Sequence, residues 1–142
     1  MDDWKKTLGD TFDDAEKKEQ QEQNALAEAD KYINSVVLPA FNEVNAELKK
    51  NGMVASVSGS NDSASFTIRE NDMVSYQYKV RINIPIMNLI TEMRHREGGQ
   101  LYRVAGSFIG GQDSTIADVS KEEIIKHLVA DYTQHIKNKN RG

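Results

Sequence analysis

Hydrophobic and polar positions change period twice along the chain. In residues 1–24 only Trp4, Leu8 and Phe12 are large and apolar, at i, i+4 and i+8, which places them on one helical stripe. So polar a segment buries little by itself, and the reading is a flexible tail or a loosely docked helix. A helix is predicted from about Asn24 to Lys50, where Leu26, Ala29, Ile33, Val36, Val37, Ala40, Phe41, Val44 and Leu48 recur at helical spacing. Asn51-Gly52 is its stop, and Pro39, which lacks an amide proton, is expected to kink or split it.

From Ala55 the period is two. Ala55 and Val57, then Ala64, Phe66 and Ile68, alternate with polar residues, and Asn71-Asp72 is a turn signal. Val74, Tyr76, Tyr78, Val80, Ile82 and Ile84 then face one way and Ser75, Gln77, Lys79, Arg81 and Asn83 the other, the pattern of a sheet buried on one side. Residues 86–97 fit either a helix opened by Pro85 or one arm of a hairpin turning at Gly98-Gly99, and the hairpin is favoured. It pairs His95 with Tyr102, Arg94 with Arg103 and Met93 with Val104, and predicts that Leu89, Met93, Tyr102, Val104 and Phe108 share the core face. Ser120 and Glu123 form a capping box, followed by an apolar stripe of Ile125, Leu128, Val129, Tyr132 and Ile136.

The expected fold is a two-layer α+β domain. It has an antiparallel sheet of about five strands, with a long N-terminal helix and a C-terminal helix packed on one face. The expected boundaries are a polar tail at 1–24, one domain at 25–138 and a disordered end at 139–142.

Composition narrows the chemistry. The chain has 142 residues, the size of one domain, and no cysteine, which excludes disulfides, thiolate metal sites and a cysteine nucleophile. No stretch is apolar enough for a membrane span and none resembles a signal peptide, so a cytoplasmic location is expected. The net charge of −4 disfavours a generally basic nucleic-acid binder. Charge is unevenly distributed, however. Residues 1–24 carry 8 acidic and 4 basic side chains, while residues 79–103 carry 5 basic (Lys79, Arg81, Arg94, Arg96, Arg103) and 2 acidic (Glu92, Glu97).

In the hairpin register those five cations, with Gln77, Asn83 and Ser107, point away from the core. Arg94 opposite Arg103 is an unfavourable like-charge pair that an anion would offset. The alternative is a solvated face on which Glu92 or Glu97 reaches over the arginines. The aromatic residues Tyr76, Tyr78, Tyr102 and Phe108 are expected on the core side, which leaves the basic face without stacking platforms for nucleic acid.

Other motifs are weak. His127, Asp131 and His135 at i, i+4 and i+8, preceded by Glu123, are read as a solvent-side line of ordinary helix pairs, with no third metal ligand evident. His95, on the core side, is read as a packed or edge histidine and not as a general base. Gly106 to Gly111 lacks the lysine of a P-loop. No catalytic residue, metal or cofactor is expected.

The leading expectation is a non-enzymatic interaction module that binds an acidic protein or other anionic ligand on the basic face. A corollary has residues 1–24 covering that face within the same chain, and the Trp4, Leu8, Phe12 stripe is a possible docking element. The alternatives are a ligand-binding protein or enzyme with a pocket near Tyr76, Tyr78, His95 and Tyr102, and a nucleic-acid accessory protein.

Overall fold

A computed structural model describes residues 3–141, with the side chains of 105, 140 and 141 excepted. The chain opens with one long helical run. Helix α1 (Asp3–Tyr32) passes through a π-turn (Ile33–Val37) into α2 (Leu38–Lys50). The π-turn is how the helix accommodates Pro39. The Leu38 amide reaches back five residues to the Ile33 carbonyl, so the helix widens where the proline cannot donate, and Pro39 falls in the first turn of α2. The helix is thereby interrupted but not broken.

Five strands follow as an antiparallel meander in the order β1-β2-β3-β4-β5: β1 (Ala55–Gly59), β2 (Ser63–Glu70), β3 (Met73–Asn83), β4 (Asn88–Glu97) and β5 (Gln100–Phe108). Residues 88–97 form a strand, as the favoured reading has it. Asn71 and Asp72 both have positive φ, as do Gly98 and Gly99, so both hairpins turn through two residues in the left-handed region, the geometry that matches strand twist. A loop containing a 3₁₀ turn (Ile116–Asp118) leads to α3 (Lys121–Arg141), whose first turn is capped by the Ser120 hydroxyl accepting the Glu123 amide at 3.3 Å.

The α+β class, the one-faced sheet and the helices on that face are as expected. Ala29, Ile33, Val37, Ala40 and Phe41 pack from the helical run against Phe66, Ile68, Tyr78, Val80 and Ile82 of the sheet, all buried. Phe41 meets Phe66 and Tyr78 edge-on, with ring centroids 5.8 and 5.9 Å apart. The Tyr32 hydroxyl donates to the Val119 carbonyl at 2.8 Å and ties the helical run to the loop before α3.

The boundaries drawn at 24/25 and 138/139 both fall inside helices, α1 and α3; residues 1, 2 and 142 lie outside the described residues. All side chains from Asp3 to Asn24 are exposed, and Ala29 is the first buried residue. At 1.5 Å per residue, α1 therefore extends about 39 Å beyond its first anchored residue.

One strand pairing departs from the expected register. Met93 pairs with Val104 but Thr91 pairs with Ser107, so β5 carries a bulge. Gly106 makes it possible: a Cβ there would lie 2.3 Å from the Thr91 carbonyl oxygen. Beyond the bulge the faces exchange. Phe108 pairs with Ile90 on the outer face and does not join the core. Ser107 joins Thr91, their hydroxyl oxygens 3.1 Å apart, and does not join the cations.

Candidate functional site: the outer sheet face and the polar layer under α3

Three cross-strand rows describe the uncovered face of the sheet. One runs Ser58, Ser65, Lys79, Glu92; the next Ser56, Thr67, Gln77, Arg94, Arg103; the third Ser63, Arg81, Ile90, Phe108. The β1–β2 side is thus small and hydroxylic, and the β3–β5 side is cationic with an apolar pair, Ile90 and Phe108, at one end.

The expected cations are not equivalent. Arg96 is committed to the fold, its Nε donating to the Val74 carbonyl at 2.6 Å and one terminal nitrogen to the Gly99 carbonyl at 2.9 Å. Arg103 lies 3.8 Å from Glu92, which also stands directly across from Lys79. Arg94 faces Arg103 as predicted, and Lys79, Arg81 and Arg94 make no hydrogen bond or ion pair among the described residues. Glu92 thus offsets one cation of the group and leaves an uncompensated positive field. The face has one aromatic group, Phe108, where none was expected.

Trp4, Leu8 and Phe12 do lie on one helix, 62%, 48% and 67% exposed. All side chains from Asp3 to Asn24 are exposed, and Lys5 lies over the Trp4 ring at 5.5 Å.

Beneath α3 the prediction fails. The line of His127, Asp131 and His135 faces the sheet and not solvent. Ile124, Leu128 and His135 are buried, whereas Val129, assigned to the apolar stripe, is 44% exposed. The rotation follows from what the sheet offers: β3 presents the hydroxyls of Tyr76 and Tyr78, and β4 presents His95. Tyr76 donates to Asp131 Oδ2 at 2.7 Å, His95 Nε2 lies 3.1 Å from the same oxygen, and the Tyr78 hydroxyl lies 2.6 Å from His127 Nδ1. Donation by Tyr78 to an unprotonated Nδ1 satisfies both groups. The His95 and His135 rings meet edge-on with centroids 4.9 Å apart, and Tyr76 packs 5.2 Å from His135. Among the described residues His135 Nδ1 is buried without a hydrogen-bond partner.

Burial governs the titration of this layer. It raises the Tyr76 and Tyr78 phenols far above their ordinary range, with Asp131 adding to both, and keeps them protonated. It lowers His127 and His135 below the ordinary 6.5, and for His135 the neighbouring His95 and Lys139 push the same way. Burial thus favours the neutral forms of Tyr76, Tyr78, His127 and His135. Among the described residues no three His, Cys, Asp or Glu side chains are placed to hold a metal ion. The proposed pocket residues do not converge on one polar cavity. Tyr76 and Tyr78 are fully buried, while Tyr102, opposite His95 as expected, is 50% exposed and donates its hydroxyl to Gln100.

The sequence did carry a signal for this layer: Ile124, Leu128, Asp131 and His135 recur at steps of four, three and four, so the polar residues continue an apolar stripe.

Fold and surface together define a two-layer α+β domain with one open, cationic sheet face, a hydrogen-bonded polar core layer and a projecting amphipathic helix. No protein-family model matches the chain, and no solved structure matches it. The sequence is 26% identical over 117 residues to a glycine betaine transporter of Acinetobacter baylyi, a match that covers 80% of this chain and 18% of the transporter. The chain therefore spans less than a fifth of that relative. Among the described residues no helix is long and apolar enough to cross a membrane.

Proposed function

We propose that this chain is a cytoplasmic, non-enzymatic interaction module that binds an acidic protein segment on its outer sheet face. The observation that carries the reading is the cation excess of Lys79, Arg81, Arg94 and Arg103 over the single Glu92 among them, on a face that no other element covers among the described residues. Cations held on a rigid sheet lose little freedom when an anion arrives, and an anion relieves their mutual repulsion. Ile90 and Phe108 beside them give an amphipathic segment an apolar anchor.

The similarity to part of a transporter supports a modular role. The shared stretch is under a fifth of that protein, and here it contains no membrane-crossing helix among the described residues, as expected of an accessory domain carried beside a catalytic or transporting unit. The packed state of the tyrosine and histidine layer favours binding at the surface over chemistry in the core.

The test is titration of a fluorescent acidic amphipathic peptide into the full chain at several salt concentrations. Salt-sensitive binding is expected, weakened about tenfold or more by R81E/R94E, the loss produced by about 1.4 kcal/mol. Binding that ignores this charge reversal refutes the proposal. A short RNA that binds better than the peptide, with a steep salt dependence, replaces it with the nucleic-acid reading.

A further inference from the structure

We propose that the segment received by the outer sheet face is the projecting half of α1 from a second copy of this chain, so that two copies exchange helices reciprocally. This deepens the reading of the face as an acid-binding surface and rests on it.

Among the described residues both surfaces are exposed to solvent, and their chemistry is complementary. Along α1 the stripe runs Trp4, Leu8, Phe12, Ala15, Glu19, Glu22, each three or four residues from the last, so an apolar end passes into an acidic one. On the sheet, apolar Ile90 and Phe108 pass into Arg81, Arg94 and Arg103. Trp4 and Phe12 thus match the apolar end of the face, and Glu19 and Glu22 its cations.

Geometry selects a second copy over the chain's own face. Hydrogen bonding is continuous from Asp3 to Tyr32, and Phe12 stands seventeen residues, about 26 Å of helix rise, before the first buried residue, Ala29. To reach its own sheet the helix would have to break and reverse, losing several backbone hydrogen bonds. A neighbour's helix arrives without breaking.

Two other partners fit less well. Parallel pairing of two α1 helices along the same stripe would bring Glu19 and Glu22 of one chain against those of the other. A lipid surface suits the Trp4 end, but the four basic side chains of residues 1–24 are outnumbered by eight acidic ones, which an anionic membrane repels. Reciprocal exchange also doubles the buried area, which moves a helix-on-sheet contact toward the roughly 1,600 Å² of a stable interface.

The experiment is sedimentation equilibrium of the full chain from micromolar to hundreds of micromolar, with Trp4 emission followed over the same range. A dimer is expected, with emission shifting to the blue as it forms, because the only tryptophan leaves water. The variants E19K/E22K and R81E/R94E should each weaken dimerisation about tenfold or more. Mixed one to one, they should recover a heterodimer, since each helix then meets a face of opposite charge; helix-to-helix pairing predicts instead that R81E/R94E alone dimerises as well as the parent chain. Circular dichroism of each variant confirms that the fold is intact.

A chain that remains monomeric overturns the inference, and so does a dimer indifferent to R81E/R94E. A blue shift seen only with phosphatidylcholine vesicles also overturns it, in favour of a membrane surface. If the monomeric chain still binds the acidic peptide through Arg81 and Arg94, the function proposed above stands and the self-exchange alone falls. If it binds neither, both fall.

Discussion

His95 and Asp131 meet across the interface of the two layers, Nε2 to Oδ2 at 3.1 Å, with both side chains largely withdrawn from solvent. The same oxygen accepts the Tyr76 hydroxyl at 2.7 Å. One carboxylate on α3 therefore anchors two strands of the sheet. Replacing Asp131 with Ala removes the shared acceptor and leaves a buried hydroxyl and a buried imidazole unsatisfied. The expected cost is about 2–4 kcal/mol, from two unpaired polar groups, read as a lowered urea midpoint at unchanged slope. Asp131→Asn retains one acceptor oxygen and is expected to cost less.

Acid is expected to loosen the same interface. His127 and His135 have folded-state pKa values below the 6.5 of the free side chain, so below that pH the unfolded chain binds more protons than the folded one. Their contribution is complete above about pH 6.5 and declines as pH falls through the range between the unfolded and folded values. Urea midpoints measured from pH 8 to pH 5 should fall on the acid side. In His135→Leu that fall should be shallower, and stability at pH 8 should be equal or greater, because a buried nitrogen with no partner is removed.

Gly106 is where the β5 bulge has no room for a side chain. Gly106→Ala places a Cβ against the Thr91 carbonyl and forces the strand to shift. A loss of about 1–3 kcal/mol is expected, the usual cost of overpacking, with the largest amide chemical-shift changes at Thr91 and Ser107.

At Arg94, stability and binding are expected to oppose one another. Arg94→Glu turns a like-charge pair with Arg103 into an attractive one. It should raise stability by a few tenths of a kcal/mol in low salt while weakening the acidic peptide. A thermal melt and a peptide titration on the same sample check both signs.

What could be read in advance, and what could not, follows from how local each determinant is. The alternation from Val74 to Ile84 and the Gly98-Gly99 turn are local, and the pairing of Arg94 with Arg103 follows from them by counting. The counting fails past Gly106, because a bulge adds one residue to β5 and exchanges faces, so that simple alternation puts Ser107 and Phe108 on the wrong sides. The orientation of α3 fails for a different reason. Hydrophobicity ranks Val129 above His127 and Asp131, yet polar side chains turn inward where the opposite layer supplies partners, and the partners Tyr76, Tyr78 and His95 lie far from α3 in the chain. The cationic patch was legible as composition, but the commitment of Arg96 to two carbonyls depends on a turn conformation that charge counting does not capture.

The unbroken passage of α1 through the π-turn into α2 has a mechanical consequence. A rod held at Ala29, Tyr32 and Ile33 and exposed from Asp3 to Asn24 works as a lever with its fulcrum inside the hydrophobic core. A tilt of about 5° there, over about 39 Å of arm, displaces the tip by about 3 Å. In reverse, a load on Trp4 is delivered as torque to the wide turn of helix that accommodates Pro39, against the Tyr32 strut on Val119. Whatever grips the far end therefore has a rigid handle on the packing of the sheet.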